Sequence, residues 1–336
     1  MAAADELLGP LLRDVSRSFY LTLRVLPRVV RPQIGLAYLL ARTTDTIADT
    51  ELIAAEERVE KLRQFRERIR YADALPVDFR DLADQQEHHS EQILLRRSPE
   101  VLELLDTMLP EDQGQVQLVL ETITRGQEMD LRRFGTGDEL KALATGDELD
   151  DYTYRVAGCV GEFWTRLTRA HCFPNDQLDD HAFLADAVRF GQGLQLVNVL
   201  RDLPHDLRNG RCYMPADELE AAGLAPADLL EPDAWPRLRP VFTPWLAKAH
   251  AHLAAGWRYT NTIPFRHYRL RLACAWPILL GAATLDKLRA ANPLAPEPRL
   301  KVHRNEVRAI LWRTSLRLPF RRSWEKLFTP PPAGAF

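Results

Sequence analysis

Several features that mark other classes of protein are scarce in this chain of 336 residues. Its four cysteines lie far apart, with no Cys-x-x-Cys pair and no histidine at zinc-finger spacing, which argues against a disulfide framework or a structural zinc site. Lys and Arg number 44 against 47 Asp and Glu, so the formal charge of −3 provides no basic field to collect nucleic acid. We therefore expect free thiols in a reducing compartment and no nucleic-acid partner.

Long apolar runs and export signals are also missing. Residues 1–12 lack the basic start and continuous apolar stretch of a signal peptide. The most apolar stretch, Leu272 to Leu285, covers only about two-thirds of the ~20 residues that cross a bilayer, and it contains Pro277. We expect a cytoplasmic protein without a transmembrane segment. If its substrate is a lipid, the protein must approach a membrane from the side, with peripheral contact that would help product release.

Strand-like alternation is equally scarce, whereas Leu, Ala, Arg, Glu and Asp dominate. Helix propensity therefore leads nearly everywhere, and the fold class is predicted to be all-α. Helical periodicity predicts helices over residues 33–48, 54–70, 114–129, 149–169, 182–202, 241–261, 270–290 and 306–317. Pro, Gly and polar residues predict breaks over 133–137, 173–176, 209–215, 225–240 and 292–298, none of them long enough for an interdomain linker.

A first pair of acids ends an apolar helical stretch. Asp45 and Asp49 are four residues apart, so they stand one turn apart on one face, and Tyr38 and Arg42 share roughly that stripe. Like charges at this spacing repel each other, and a Mg²⁺ ion would relieve the repulsion. Two solvated acids at a helix end are the simpler interpretation of this pair taken alone.

A second polar series makes the metal interpretation stronger. Asn198, Asp202 and Asp206 recur at intervals of four after the apolar run Leu194 to Leu200. Two such acidic faces opposed across a helical bundle could hold several Mg²⁺ ions, which commonly bind carboxylates together with substrate phosphates. Mg²⁺ on a diphosphate stabilises the charge that develops as the C–O bond breaks, and an apolar interior would shield the resulting carbocation from water. The pattern predicts ionisation of a prenyl diphosphate.

Basic residues close to the acids support a diphosphate site. Arg17, Arg42, Arg201 and Arg211 lie near the two acidic series and could bind phosphate oxygens left exposed by the metals. Any one of them alone would more simply be a surface charge.

The chain resembles the squalene and phytoene synthase family of head-to-head prenyl transferases, from about Ser16 to Tyr213 and more weakly to about Ile310. The family pattern N-x-x-R-D-x-x-x-D followed by G-R-x-Y-x-P stands here as Asn198, Arg201, Asp202, Asp206, Gly210, Arg211, Tyr213 and Pro215. The first motif matches at Asp45 and Asp49. The resemblance implies a helical bundle of the class I isoprenoid synthase type around a central cavity. It also implies that Gln195 and Tyr213 help to bind the substrate diphosphate.

A third matching segment is Tyr152-Thr-Tyr-Arg-Val-Ala-Gly158-Cys-Val-Gly161. The resemblance places Tyr152 and Tyr38 near the reacting carbons, where the phenol of Tyr152 could relay a proton. A buried, merely hydrogen-bonded tyrosine is the alternative. For Gly158 and Gly161, helix packing and lining of a substrate tunnel stay equally open. Arg155 replaces an aromatic residue found in several relatives, so the effect of a charged residue near Tyr152 is a further open question.

Family membership implies condensation of two prenyl diphosphates, expected to be farnesyl diphosphate, through a cyclopropylcarbinyl diphosphate. We prefer final reduction by NADPH to squalene, because the helix around Pro277 resembles that of squalene synthases. Lys301 and Arg304 likewise resemble the basic patch that squalene synthases place near the cofactor phosphate. A phytoene or dehydrosqualene synthase, which needs no reductant, is the alternative. No G-x-G-x-x-G follows a strand, so a Rossmann site is not expected.

The matched residues must converge on one cavity, so we predict one all-α domain over residues 1–328 and a frayed Pro-rich tail over 329–336. Pro204 removes one helical hydrogen-bond donor between Asp202 and Asp206, which predicts a kink there. A non-catalytic helical scaffold is the alternative from another class, but such a relative should have lost its aspartates or arginines. Prenyl chain length and oligomeric state stay open.

Overall fold

A computed structural model describes residues 2–16, 19–135, 140–295 and 300–329. These residues form helices almost throughout, which confirms the predicted all-α class. They divide into two compact units: one holds the described residues up to Gly135 together with Phe163–Pro174, and the other holds Leu140–Glu162 together with the residues from Asn175 onwards. The expectation of a single domain over 1–328 stays a prediction.

The first unit is built around one apolar helix. Helices α1 (Ala2–Glu6) and α2 (Leu12–Ser16) are joined by a π-helical turn, Leu7–Leu11, and α3 spans Tyr20–Val25. Helix α4 (Arg31–Asp49) buries Leu36, Leu39 and Leu40 completely. Its neighbours include α5 (Ala55–Arg70), α8 (Ser98–Asp106) and α9 (Pro110–Phe134). The remaining helices of the unit are α6 (Arg80–Gln85), α7 (His89–Arg96) and most of α11 (Cys159–Cys172).

Helix α9 shows why the sequence forms these elements. It begins with Pro110, which has no N–H to lose at a helix start, and Glu111 and Asp112 follow in the first turn. Arg132 and Arg133 occupy the last turn, where positive charge stabilises the carboxyl end of a helix. Asp112 is buried and bonds to His171 Nε2 over 2.7 Å and to Gln33 Nε2 over 3.0 Å, which ties α9 to α11 and α4.

The second unit is organised by α12 (Asp180–Arg208), which packs against α14 (Trp235–Thr262) and α15 (Tyr268–Ala290). The side chain of Asp179 caps α12 by accepting a hydrogen bond from Ala182 N. Across the α12–α14 interface, the rings of Phe183 and Tyr259 stack with centroids 4.2 Å apart. The unit also contains α10 (Gly146–Thr153), α13 (Ala216–Ala221), α16 (Arg304–Arg317) and α17 (Arg321–Glu325).

Two predicted breaks contain regular structure instead. Within 209–215, β2 (Arg211–Pro215) pairs in parallel with β1 (Lys141–Leu143), and Gly210 before it has a φ of 74°, which glycine adopts without strain. The predicted break over 225–240 ends early, because α14 already begins at Trp235. Pro236 lies in its first turn, and the exposed Pro240 and Pro244 leave carbonyl groups that water can satisfy.

Two further expectations concern the chain as a whole. All four cysteines are free, as predicted. None of the helices in the described ranges combines the length and apolarity needed to cross a bilayer.

Candidate active site

The first pair of predicted acids lies at the end of α4. Asp45 and Asp49 occupy its last two turns, and the last turn contains no basic residue. The carboxyl end of a helix carries partial negative charge, so two carboxylates there repel both each other and the helix end. This arrangement attracts a cation.

Asp45 is held by two neighbours. Gln127 Nε2, on α9, donates a hydrogen bond to Asp45 Oδ1 over 2.7 Å, and Arg42 Nη1 lies 4.0 Å from Asp45 Oδ2. Burial and the nearby charge of Asp49 raise the pKa of Asp45 to about 7, although Arg42 and Gln127 act in the opposite direction. The side chain keeps 45% of its surface open to solvent, so a cation can reach its oxygen atoms.

Arg42 is engaged by a residue that the sequence did not single out. Its Nη2 forms a short ion pair with Glu91 Oε1 of α7. The expected phosphate-binding arginine is thus held in place by a second carboxylate beside Asp45. Tyr38, one turn before Arg42, stacks on Phe19 with ring centroids 5.1 Å apart.

In the second unit, four predicted residues form a linked cluster. Gln195 Nε2 donates to the hydroxyl of Tyr152 over 3.4 Å, and Asn198 Nδ2 donates to Gln195 Oε1 over 3.3 Å. The ring of Tyr152 stacks on that of Tyr213, with centroids 4.5 Å apart. Residues from α10, α12 and β2 therefore meet around the phenol of Tyr152.

The second acidic series lies on α12. Arg201 chelates Asp202 through its Nε, 3.0 Å from Oδ1, and through a shorter contact of Nη2 with Oδ2. Asp202 thus already has a cationic partner, and a metal ion would have to compete with this guanidinium. The helix runs through Pro204 and includes Asp206, while Arg211 opens β2. The predicted kink at Pro204 stays a prediction.

The third motif adopts an unusual helical geometry. Tyr154–Gly158 form a π-helical turn between α10 and α11, a feature that often occurs at functional sites. A Cβ atom on Gly161 would lie 2.1 Å from the carbonyl oxygen of Ala187, and one on Gly191 would lie 2.0 Å from that of Ala157. Between the two open interpretations of Gly161, this close backbone contact favours helix packing.

The remaining predicted residues lie apart from these clusters or cannot be placed. Lys301 is exposed just before α16, and Arg304 is exposed at the first residue of that helix. Arg17 lies outside the described residues, as does most of the predicted Pro-rich tail.

The side-chain oxygen atoms of Asp45 and Asp49 are suitable ligands for a magnesium ion. Both offer only oxygen atoms, and Mg²⁺ commonly binds one or two carboxylates plus substrate phosphates. No group of three or more His, Cys, Asp or Glu side chains within the described ranges is arranged to hold a metal ion. A divalent ion here would therefore share its coordination with water or substrate oxygens.

The sequence pattern missed Gln127 and Glu91, although each contacts a predicted residue directly. Gln127 is 82 positions from Asp45, and Glu91 is 49 positions from Arg42. Neither belongs to a motif, and only the packing of α9 and α7 against α4 brings them close. The single sequence cue is their polar character within amphipathic helices, which they share with many surface residues.

Comparison with known proteins shows which proteins the chain is similar to. A presqualene diphosphate synthase of Rhodopseudomonas palustris is 32% identical over 253 residues, which cover 74% of this chain and 76% of that protein. The presqualene diphosphate synthase of Sinorhizobium fredii is 29% identical over 306 residues, covering 90% of this chain and 94% of its relative.

Solved structures share the fold at lower sequence identity. A squalene synthase from Alicyclobacillus acidocaldarius gives a TM-score of 0.62 at 21% identity, covering 85% of this chain and 93% of the other. A dehydrosqualene synthase in complex with a ligand gives 0.67 at 20% identity, covering 94% and 98%. Residues 12–306 match the family model described as squalene/phytoene synthase. The chain therefore belongs to the squalene/phytoene synthase family, the prenyl transferases that condense two prenyl diphosphates head to head.

Proposed function

We propose that this protein condenses two molecules of farnesyl diphosphate into the cyclopropylcarbinyl product, presqualene diphosphate. The observation that carries the proposal is the pair Asp45 and Asp49 at the carboxyl end of α4. Burial first, and the charge of Asp49 second, raise the pKa of Asp45, and a divalent cation would stabilise the ionised form of both carboxylates. The names of the two relatives above support presqualene diphosphate as the product.

The residues that would hold Mg²⁺ are Asp45, Asp49, Asn198, Asp202 and Asp206. When bound, Mg²⁺ would stabilise the negative charge on the departing diphosphate. Arg42, Arg201 and Arg211 would bind the remaining phosphate oxygens. Glu91 holds the guanidinium of Arg42 in place, so less side-chain freedom is lost when phosphate binds.

Tyr152 is proposed to act next to the reacting carbons. Its hydroxyl already accepts a hydrogen bond from Gln195, and its ring is fixed by stacking on Tyr213. A hydroxyl held in this way can pass a proton to or from a nearby diphosphate oxygen without reorienting the ring.

A second candidate function continues the reaction by NADPH reduction to squalene. It is supported by Lys301 and Arg304, whose exposed charges lie at the amino-terminal end of α16, where helices favour anions such as a cofactor phosphate. Reduction would then take place in the same protein that forms presqualene diphosphate.

The test is incubation of the pure protein with farnesyl diphosphate and Mg²⁺, with and without NADPH, followed by identification of the products. Presqualene diphosphate in both reactions supports the first proposal. Squalene only in the presence of NADPH supports the second candidate. Dehydrosqualene without reductant, or phytoene from geranylgeranyl diphosphate, would reject both. A chelator should stop every one of these reactions, and an inert protein with intact helical signal would point to a scaffold.

A further inference from the structure

The carboxyl-terminal part of the second unit exposes three large apolar side chains within a short stretch. Trp312, Leu316 and Phe320 are 67%, 54% and 65% exposed. Single exposed apolar residues are ordinary on protein surfaces, but neighbouring ones mark interaction sites. Trp312 and Leu316 are one turn apart on α16, and the buried residues Ile310 and Thr314 lie on the opposite side of the helix.

The inner side of this segment is firmly anchored. Trp276 Nε1 of α15 donates to Thr314 Oγ1 over 2.9 Å, and Trp324 Nε1 of α17 donates to Asn261 Oδ1 over 2.8 Å. Trp324 is almost completely buried and stacks on Trp257. The packing therefore holds α16 with Trp312 and Leu316 outward, and the helix cannot turn to bury them without breaking these contacts.

The same segment has a charge opposite to that of the rest of the chain. Residues 301–328 contain eight Lys and Arg against two Glu, an excess of six positive charges, whereas the whole chain has a formal charge of −3. Both glutamates have a basic partner, since Glu306 pairs with Lys287 and Glu325 with Arg321. Arg308 and Arg313 are exposed beside Trp312. We call Arg308, Trp312, Arg313, Leu316 and Phe320 the α16 outer surface.

Exposed tryptophan, leucine and phenylalanine side chains beside arginines can enter the interfacial region of a membrane, with the apolar groups below the headgroups and the guanidinium groups among them. Basic residues near that level are attracted to anionic lipids. We propose that the α16 outer surface docks the protein onto an anionic lipid bilayer. The purpose of this docking rests on the proposed function, because the apolar chains of the proposed product would pass from the protein into a bilayer.

Vesicle flotation of the full chain tests the proposal without any substrate. The protein should float with vesicles of phosphatidylcholine and phosphatidylglycerol, bind much less to phosphatidylcholine alone, and dissociate as salt is raised. Replacing Trp312→Ser and Leu316→Ser together should lower the bound fraction by about tenfold or more. Arg308→Gln with Arg313→Gln should weaken binding to the anionic vesicles and reduce its dependence on salt.

The matched control is Leu75→Ser with Leu109→Ser, which removes two apolar side chains that are 86% and 62% exposed elsewhere. This variant should float like the unchanged protein. Circular dichroism shows whether each variant keeps its helical content. Wild-type protein that stays unbound with both kinds of vesicle, or equal flotation of the Trp312 and Leu316 variant, overturns the proposal.

Light scattering separates membrane docking from self-association. If the protein forms a dimer that Trp312→Ser and Leu316→Ser disrupt, and does not bind vesicles, the α16 outer surface joins two copies and membrane docking is rejected. Because flotation needs no turnover, a vesicle-bound but inactive protein would contradict only the proposed function. An active protein that never binds vesicles would contradict only the docking.

Discussion

At Asp45, protonation and cation binding compete for the same oxygen atoms. In the folded protein its pKa is raised from 3.8 to about 7, so the folded chain takes up this proton more readily than the unfolded chain. The group therefore contributes stability that is fully present below pH 4 and is lost as the pH rises through about 7. A divalent cation binds the ionised form, and its affinity should follow the opposite course.

We expect Mn²⁺ or Mg²⁺ to bind about tenfold more weakly one pH unit below this pKa than one unit above it. Isothermal titration calorimetry at the two pH values measures the difference. Asp45→Asn should remove this part of the pH dependence along with much of the affinity. An unchanged affinity of the wild-type protein across that range would contradict the assignment.

Gln127 provides a second test of the proposed metal-binding role of Asp45. Gln127→Leu removes the hydrogen bond to Asp45 Oδ1, and hydrogen bonds to charged groups contribute about 1.5–3 kcal/mol. Because Asp45 is partly exposed, we expect the lower end of this range, a loss of about tenfold in metal affinity and turnover. Gln117→Leu on the same helix, whose amide bonds only to backbone carbonyls of Ile69 and Arg70, should leave both quantities unchanged.

Asp45 and Gln127 also show how much of the candidate site could be predicted from the sequence. Asp45, Asp49 and Arg42 are recognisable because a helix places residues four apart on one face. Gln127 and Glu91 are not, because their positions depend on tertiary packing between helices distant in sequence. The family pattern likewise marks Tyr152 and Tyr213 but gives no indication that their rings stack.

At the level of elements, helices α11 and α12 approach each other so closely at Gly161 that no side chain fits there. Gly161→Ala would press a methyl group against the backbone of Ala187, which cannot move without distorting α12. We expect a loss of about 1–3 kcal/mol in the free energy of unfolding, the range for overpacking, measured by urea denaturation.

Gly114→Ala serves as the control for this substitution. Gly114 lies in α9, where a Cβ atom meets nothing within 4 Å. Alanine there should stabilise the protein by about 0.5–1 kcal/mol, because glycine in a helix loses more backbone freedom on folding. Equal effects of the two substitutions would contradict the packing role of Gly161.

At the level of elements, long amphipathic stretches were predictable and short or irregular ones were not. The predicted helices over 33–48 and 54–70 correspond to α4 and α5 with small shifts at their ends. The strand pair was missed because β1 has only three residues and gains its regularity from pairing with β2. Helix α14 was predicted to begin late because prolines in a first turn resemble a break.

For the whole molecule, the proposed function assigns roles to Asp45 in one compact unit and to Asp202 in the other. Asp45→Ala and Asp202→Ala should each lower turnover by about 100- to 1,000-fold, while circular dichroism stays nearly unchanged. The double variant should be little worse than either single one, because residues acting as a unit do not add. Asp186→Ala, which removes a surface ion pair with Arg258 on α14, is the matched control and should retain full turnover. Substantial activity in Asp45→Ala or Asp202→Ala would refute the site.

The π-helical turn at Tyr154–Gly158 has a consequence for how this region tolerates change in length. Each residue of a regular helix advances the direction of the side chains by about 100°, so one surplus residue shifts the phase of everything beyond it. The surplus residue allows Tyr152 to face Gln195 while Gly161 faces Ala187. A deletion of one residue within this turn should restore a regular helix and leave both the phenol and the glycine in their present directions, whereas a deletion in the α-helix on either side would misdirect one of them.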